Sequence, residues 1–381
     1  MKIALVGVGF VADYYMTTLY NHPHLSVAGA FDRSPERLRQ FCSFYGVRPY
    51  PDLATLLADP EPTIVVNLTT PEAHFEVSRD ALLAGKHVYT EKPLAMTVDE
   101  ALALAALADE RGLTVTTAPA NALSDAQALV AGALARDAIG TPRLAYAEME
   151  DGPVFRDKWA TWRSRSGAPW PGVHEFAIGC TLEHAGYAIA WLVSLFGAVE
   201  TLSGFSAVAF HDKGPGTRDI DMAPDFSVGC LAFNSGMVAR LTCGLAAPRD
   251  RSLTILGDRG SIKVRDLWDD RSVVHLEETG KPTPTTKLIG YLEHRLGRSL
   301  PFKPARGSAL AYPAPSGKRL PDYPSRIDFS GGIARQAEAI EAGTAPFFSG
   351  ERAAHVTEIA LALNGAGSAA APYRLRTRPT F

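Results

Sequence analysis

The sequence predicts an α/β Rossmann-type nucleotide-binding domain followed by an α+β domain with a large, mostly antiparallel open sheet. Three observations carry that expectation. The turn Gly7-Val8-Gly9-Phe10-Val11-Ala12 directly follows the apolar run Ile3-Ala4-Leu5-Val6. Strand-like and helix-like segments then alternate as far as Thr117. Beyond residue 120 the alternation gives way to a block of strand candidates around one strongly apolar helix. The expected division is residues 1–120 for the first domain and 121–381 for the second, with closing helices at about 331–363 packing back toward the first.

Each element has a local reason. Residues 2–6 and 25–31 are apolar and partly β-branched, and the stretch Phe10 to Tyr20 between them has helix length. Ser34 caps a second helix with Pro35 at its first position, where the missing N–H costs nothing. Thr63 to Leu68 reads as a buried parallel strand, Pro71 to Ala84 as its helix with Gly85 as stop signal, and His87 to Thr90 as the next strand. A helix from about Thr97 to Arg111 and a strand at Leu113 to Thr117 complete what is expected to be a six-stranded set, before Ala118-Pro119-Ala120 breaks the rhythm. In the second domain Arg143–Glu150, Ala198–Phe210, Asp225–Phe233, Met237–Cys243, Ser252–Leu256 and Ser261–Val264 are strand candidates. Turns are expected at Asn234-Ser235-Gly236 and at Gly257 to Gly260. Residues 299–326 are rich in Pro, Gly and Arg without periodicity and read as a long loop, a flap, a partner contact or disorder. Gly331–Ala342 and His355–Leu363 read as helices.

Composition narrows the function classes. A chain of 381 residues with net charge −3 lacks the clustered Lys and Arg of a nucleic-acid surface. Cys42, Cys180, Cys230 and Cys243 form no C-x-x-C pair, which fits a reducing compartment better than a disulfide framework or zinc site. The chain starts on its first strand, and its longest apolar stretch, around Tyr187 to Val199, is short for a bilayer. A cytoplasmic protein with no membrane or nucleic-acid partner is expected.

The glycine turn is built for a diphosphate. Gly7 permits a tight turn, Gly9 lets backbone N–H groups come close, and Ala12 allows close helix–strand packing. Asp32 stands past the second strand, where a carboxylate accepts hydrogen bonds from a ribose and repels a 2′-phosphate; Arg33 beside it softens that exclusion. NAD is therefore the expected cofactor, with NADP possible. At the carboxyl end of another parallel strand, Glu91-Lys92-Pro93 places a lysine at the mouth of the same crevice. An ammonium there favours the negative charge that develops on a substrate oxygen during hydride transfer, with Glu91 available to orient it and Pro93 fixing the chain direction. Cys180, His184 and Tyr187 fall at i, i+4 and i+7 on one helical face, with His184 a natural acid or base near neutrality and Tyr187 able to relay a proton. The same histidine is also compatible with a satisfied interior position. Trp159, Trp162, Arg163, Arg165 and Trp170 form either an aromatic and cationic substrate wall or ordinary loop packing. His174-Glu175 and Glu183-His184 lack metal-ligand spacing with a third partner, so no metal is expected.

These motifs, in this order, resemble the Gfo/Idh/MocA oxidoreductases. The likeness rests on Gly7 to Ala12, Asp32-Arg33, Thr69-Thr70-Pro71-Glu72-Ala73-His74, the segment Ala84 to Ala95 with Glu91-Lys92-Pro93, and the helix holding His184 and Trp191-Leu192. It implies that the Glu91-Lys92-Pro93 peptide contacts the nicotinamide ribose and that Phe10, Val11, Thr69, Thr70 and His74 border the cofactor. It also implies a substrate pocket in the C-terminal sheet that includes Cys180, His184, Trp162, Arg163 and Trp170. The family's helix carries Asp-x-x-x-His, whereas this chain has Cys180 four residues before His184, and a thiol cannot replace the carboxylate's charge. The resemblance implies NAD(P)-dependent interconversion of a secondary alcohol and a ketone on a sugar, cyclitol or nucleotide sugar. Alternatives are a redox-neutral lyase or epimerase with retained NAD, and a nucleotide-binding protein whose catalytic face has decayed. A homodimer or homotetramer through the C-terminal sheet is expected.

Overall fold

The computed structural model describes all residues except 302–306, 323–324, 367–372, 378 and 380–381. The N-terminal third builds a parallel sheet from β1 (Lys2–Val6), β2 (Ser26–Phe31), β3 (Ile64–Asn67), β4 (His87–Thr90) and β5 (Val115–Thr117), in the order β2-β1-β3-β4-β5. The sheet has five strands and not the expected six. After β5 the chain turns through Ala120–Leu123 into the helix Asp125–Ala135, and β6 then joins the second sheet. β1 and β3 are buried almost throughout, as parallel strands covered on both faces require.

Local signals set the helix starts. Ser34, Thr97 and Ser124 each accept a hydrogen bond from the backbone N–H three residues on, satisfying one of the free first-turn donors. The first helix is shorter than its apolar stretch and spans Ala12–Thr18. The segment after β3 opens as a short 3-10 turn, Pro71–Ala73, before the helix His74–Leu83.

The second sheet comprises β6 (Pro142–Glu150), β7 (Val199–Ala207), β8 (Phe226–Phe233), β9 (Val238–Gly244), β10 (Leu253–Gly257), β11 (Gly260–Val264), β12 (Val274–Glu278), β13 (Ser308–Ala309) and β14 (Tyr373–Arg374). Their order is β13-β12-β11-β10-β6-β9-β8-β7-β14, antiparallel except for the β6–β9 pair. One face packs on the apolar helix Gly186–Phe196, in which Ala188 to Val193 are almost wholly buried. The other face is open. Leu144 pairs with Val238, Tyr146 with Arg240, and Phe205 lies in register with Val228, so the exposed Leu144, Tyr146, Val238 and Phe205 share it.

Among the helices of the second domain, two further differences bear on the closing segment. Pro284–Leu296 is a helix capped by Thr283, and the closing helix begins at Gly350, capped by Ser349, and runs to Asn364. The closing helices reach back to the first sheet. Gln336 donates its amide N–H to Val88 O at 2.9 Å, and the Leu94 N–H reaches Thr357 Oγ1 at 3.0 Å. Within 299–326, β13 is the strand among the described residues.

Candidate active site

A cavity of about 970 Å³ runs from the glycine turn to the helix bearing His184. Its first end is lined by Gly7, Gly9, Phe10, Val11, Asp32, Arg33, Arg37, Thr69 and Thr70. Gly7 has φ +89°, and a Cβ there would sit 2.6 Å from Leu68 O, so its glycine serves the fold. At Gly9 a Cβ would meet nothing within 4 Å. That open space in front of the turn is the room a dinucleotide's diphosphate needs.

The Asp32 carboxylate accepts from the N–H groups of Val8 (2.9 Å) and Ser34 (2.7 Å) and from the Arg37 guanidinium (3.0 Å). It thus pins the glycine turn against β2 as well as standing at the cavity rim. Its cation is Arg37, one helical turn on, and not Arg33. We expect NADH to bind more tightly than NADPH, because the fixed carboxylate repels a 2′-phosphate. Asp32→Ser frees Arg37 and Arg33 to meet that phosphate and should narrow or reverse the preference, read from cofactor titrations beside a thermal melt that detects loss of the Val8 and Ser34 bonds. Unchanged preference in a folded variant would reject the assignment of Asp32.

Glu91 and Lys92 both line the cavity but take different partners. Glu91 accepts from the Tyr15 hydroxyl at 2.6 Å and from the Lys92 N–H at 3.1 Å, so it does not hold the ammonium. Lys92 Nζ instead donates to Glu183 at 2.6 Å, with both side chains 12% exposed. Burial opposes the lysine's charge, but Glu183, together with Tyr187, Glu91 and Glu175, outweighs it and holds the ammonium above its ordinary pKa. Burial likewise opposes the Glu183 anion, and the facing Lys92 brings its carboxyl below the usual value. Glu175 is the reverse case: burial, reinforced by the Glu183 charge, pushes its carboxyl well above the ordinary range. Pro93 does not line the cavity; its carbonyl is held by the His74 imidazole at 2.6 Å, and the other ring nitrogen of His74 lies 3.2 Å from Thr69 O. His74 therefore ties the Thr69 loop to the Lys92 peptide, and burial keeps its pKa low.

Glu183, His184 and Tyr187 line the far wall. The His184 ring packs 5.6 Å from the Trp268 ring, with Tyr187 at 4.7 Å from the same indole. His184 Nε2 stands 3.9 Å from the Asp151 carboxylate, and its buried Nδ1 has no partner among the described residues. Burial depresses the His184 pKa, with Asp151 partly restoring it. Asp151 also lies 3.7 Å from Arg251, whose guanidinium stacks 4.3 Å from the Trp268 ring.

Cys180 is not in the cavity. It is wholly buried, its Sγ lies 3.5 Å from Cys243 O, and Cys243 Sγ returns the contact to Cys180 O at 3.2 Å. The expected common face fails because Thr181–Ala185 is a π-helical turn, entered through a 92° bend after the helix Gly172–Ile178. The extra residue in that turn breaks the α-helical register between Cys180 and His184. Among the Trp and Arg candidates, Trp162 and Trp170 line the cavity with ring centroids 5.1 Å apart. Trp159 is core, donating its indole N–H to Lys213 O at 3.0 Å. Arg163 is turned out, bonded to the carbonyls of Ala160 and Trp162, so the wall is aromatic without that cation.

Sequence reasoning missed Asp151, Trp268, Arg249 and Arg251, and considered Glu183 and Glu175 only as metal ligands. Among the described residues no group of three or more His, Cys, Asp or Glu is placed to hold a metal ion.

Comparison with known proteins agrees with this architecture. Residues 1–118 match the oxidoreductase family, NAD-binding Rossmann fold model of Gfo/Idh/MocA, and residues 128–263 match the Gfo/Idh/MocA C-terminal domain model. An uncharacterised oxidoreductase of Synechocystis is 26% identical over 69% of this chain and 71% of its own length. Mouse trans-1,2-dihydrobenzene-1,2-diol dehydrogenase is 23% identical over 82% of this chain and 86% of its own length. An Escherichia coli oxidoreductase is 34% identical but over only 34% of its own length. Among solved structures, the WlbA dehydrogenase of Bordetella pertussis, determined with NADH and UDP-GlcNAcA, superposes with TM-score 0.72 at 17% identity, covering 99% of this chain and 98% of that one, a likeness of fold.

Proposed function

The chain belongs to the Gfo/Idh/MocA family of NAD(P)-dependent oxidoreductases, and we propose that it interconverts a secondary alcohol and a ketone on a polyhydroxylated ring bound between Lys92 and His184. The observation that carries this is the pairing, on one cavity, of a lysine held cationic by Glu183 with a histidine held neutral by burial. NAD(P), held along Gly7, Gly9, Asp32, Thr69 and Lys92, would supply the acceptor for the hydride of the carbinol carbon, or the donor in the reverse direction. The Lys92 ammonium donates to the substrate oxygen and stabilises the negative charge gathering there. His184 takes the hydroxyl proton as the C=O bond forms and passes it on to water, or delivers it during reduction. Asp151 stabilises the resulting imidazolium, the duty for which Cys180 has no charge. The motive for a decayed catalytic face, the missing aspartate, loses its force with a carboxylate at 3.9 Å from the imidazole.

The pH–rate profile tests the assignment. Alcohol oxidation needs neutral His184, so activity should fall as pH drops through its pKa, at a point below the 6.5 of a free imidazole. Asp151→Asn removes an anion that raises that pKa, so the acid limb should move to still lower pH. His184→Asn should cost about 10²-fold in kcat and remove the limb. An acid limb unmoved in both variants would assign the proton to another group.

A further inference from the structure

The substrate end of the cavity has a charge pattern of its own. Its charged lining comprises the carboxylates of Asp151, Asp157 and Glu183 against the fixed cations Lys92 and Arg249, while burial pushes the Glu175 carboxyl toward its neutral form. Lys92 is committed to Glu183 at 2.6 Å, and the Arg249 guanidinium stands 3.9 Å from Asp151 on a side chain that is 62% exposed. Arg251, behind Trp268, is shared between Asp151 at 3.7 Å and Asp266 at 3.4 Å. His174 faces Glu72 at 2.9 Å. Among the described residues, then, every cation at this end already has a carboxylate neighbour. Recognition of phosphate or carboxylate ordinarily uses arginine forks free to bind in pairs of hydrogen bonds, and Arg163, the sequence's candidate for that, lies outside the cavity. The remaining wall is aromatic: Trp162, Trp170 and Trp268 offer flat faces that suit the C–H side of a ring, while the carboxyls accept from hydroxyl or ammonium groups on its edge.

We propose that the substrate is an uncharged or amino-bearing polyol ring, a free sugar, amino sugar or cyclitol, and that sugars bearing a phosphate, a nucleoside diphosphate or a carboxylate are excluded. This rests on the alcohol–ketone reading for which bond reacts, but it concerns binding and is separable from it. An anionic group entering here would leave water beside carboxylates, with Lys92 paired to Glu183 and the exposed Arg249 facing Asp151, whereas a neutral ring loses only hydroxyl–water bonds that the carboxyls restore. Discrimination thus comes from a repulsive element built into the wall as well as from attraction.

The test uses the full-length protein saturated with NADH and a matched panel of hexoses, hexosamines and cyclitols beside glucuronate, glucose 6-phosphate and UDP-glucose. Binding is read from the change in bound NADH fluorescence, and turnover is followed separately with NAD or NADH. At least one neutral or amino member should bind ~10-fold or more tightly than every anionic member. Asp151→Asn and Asp157→Asn should narrow that gap by improving anion binding. Tighter or equal binding of an anionic member, particularly if abolished by Arg249→Ala, would overturn the proposal, as would binding of no neutral or amino member. Neutral selectivity without hydride transfer would uphold it and overturn instead the roles given to Lys92 and His184.

Discussion

Lys92→Ala should lose about 10³-fold in kcat while leaving NADH affinity within about threefold, because the charge it stabilises exists in the transition state and not in the binary complex. The variant has a second consequence that must be separated from the first. Glu183 is only 12% exposed and faces Lys92 at 2.6 Å, so removing the lysine strands an anion in a largely buried wall of the cavity. Breaking a buried pair in this way costs about 3–5 kcal/mol unless the carboxyl takes up a proton. Lys92→Ala with Glu183→Gln removes the stranded charge. That double variant should recover most of the thermal stability and none of the turnover. Recovery of turnover would mean that Lys92 acts only as the counter-ion of Glu183.

Gly9→Val should abolish measurable NADH binding, by more than about 10²-fold, in a protein that melts near the wild-type temperature. A Cβ at Gly9 meets no atom within 4 Å, so the fold has no objection to a side chain there. Its branched carbons would fill the space that the diphosphate must enter. Gly7→Ala is the contrasting case. At φ +89° and with Leu68 O 2.6 Å from the added carbon, it should destabilise the first domain whether or not cofactor is present. Calorimetric titration and a melt of each variant separate a glycine needed for the ligand from one needed for the turn. Unchanged NADH affinity in Gly9→Val would remove the cofactor from this turn.

What was legible in the sequence was whatever depends on neighbours along the chain. The strand–turn–helix around Gly7 to Ala12, the buried strands β1 and β3, and the placement of Lys92 at a strand's carboxyl end all follow from local pattern, and the structure puts these elements along one cavity. His184 and Tyr187 reach it as well. Cys180 did not, because a π-helical turn changes the register without a signature in residue type. Asp151 was illegible for a different reason. It follows the last residue of β6, and only the parallel β6–β9 pairing and the packing of the His184 segment bring it to the imidazole. Glu183 was visible but considered only for metal ligation; its pairing with Lys92 joins residues from different domains, which no spacing along the chain encodes. The helix Pro284–Leu296, by contrast, did carry readable signals in its Thr283 cap, its first-turn proline and the spacing of Leu288, Tyr291, Leu292 and Leu296.

The most direct test of the central claim, one substrate oxygen shared by Lys92 and His184, is a crystal structure of the protein with NAD(H) and a bound polyol or ketone. The account predicts the diphosphate in front of Gly9, the nicotinamide beside Lys92, and a single substrate oxygen within hydrogen-bond distance of both Lys92 Nζ and the His184 imidazole. A substrate whose reacting oxygen touches neither group, or a cavity in which the bound nicotinamide leaves no room between them, would contradict it.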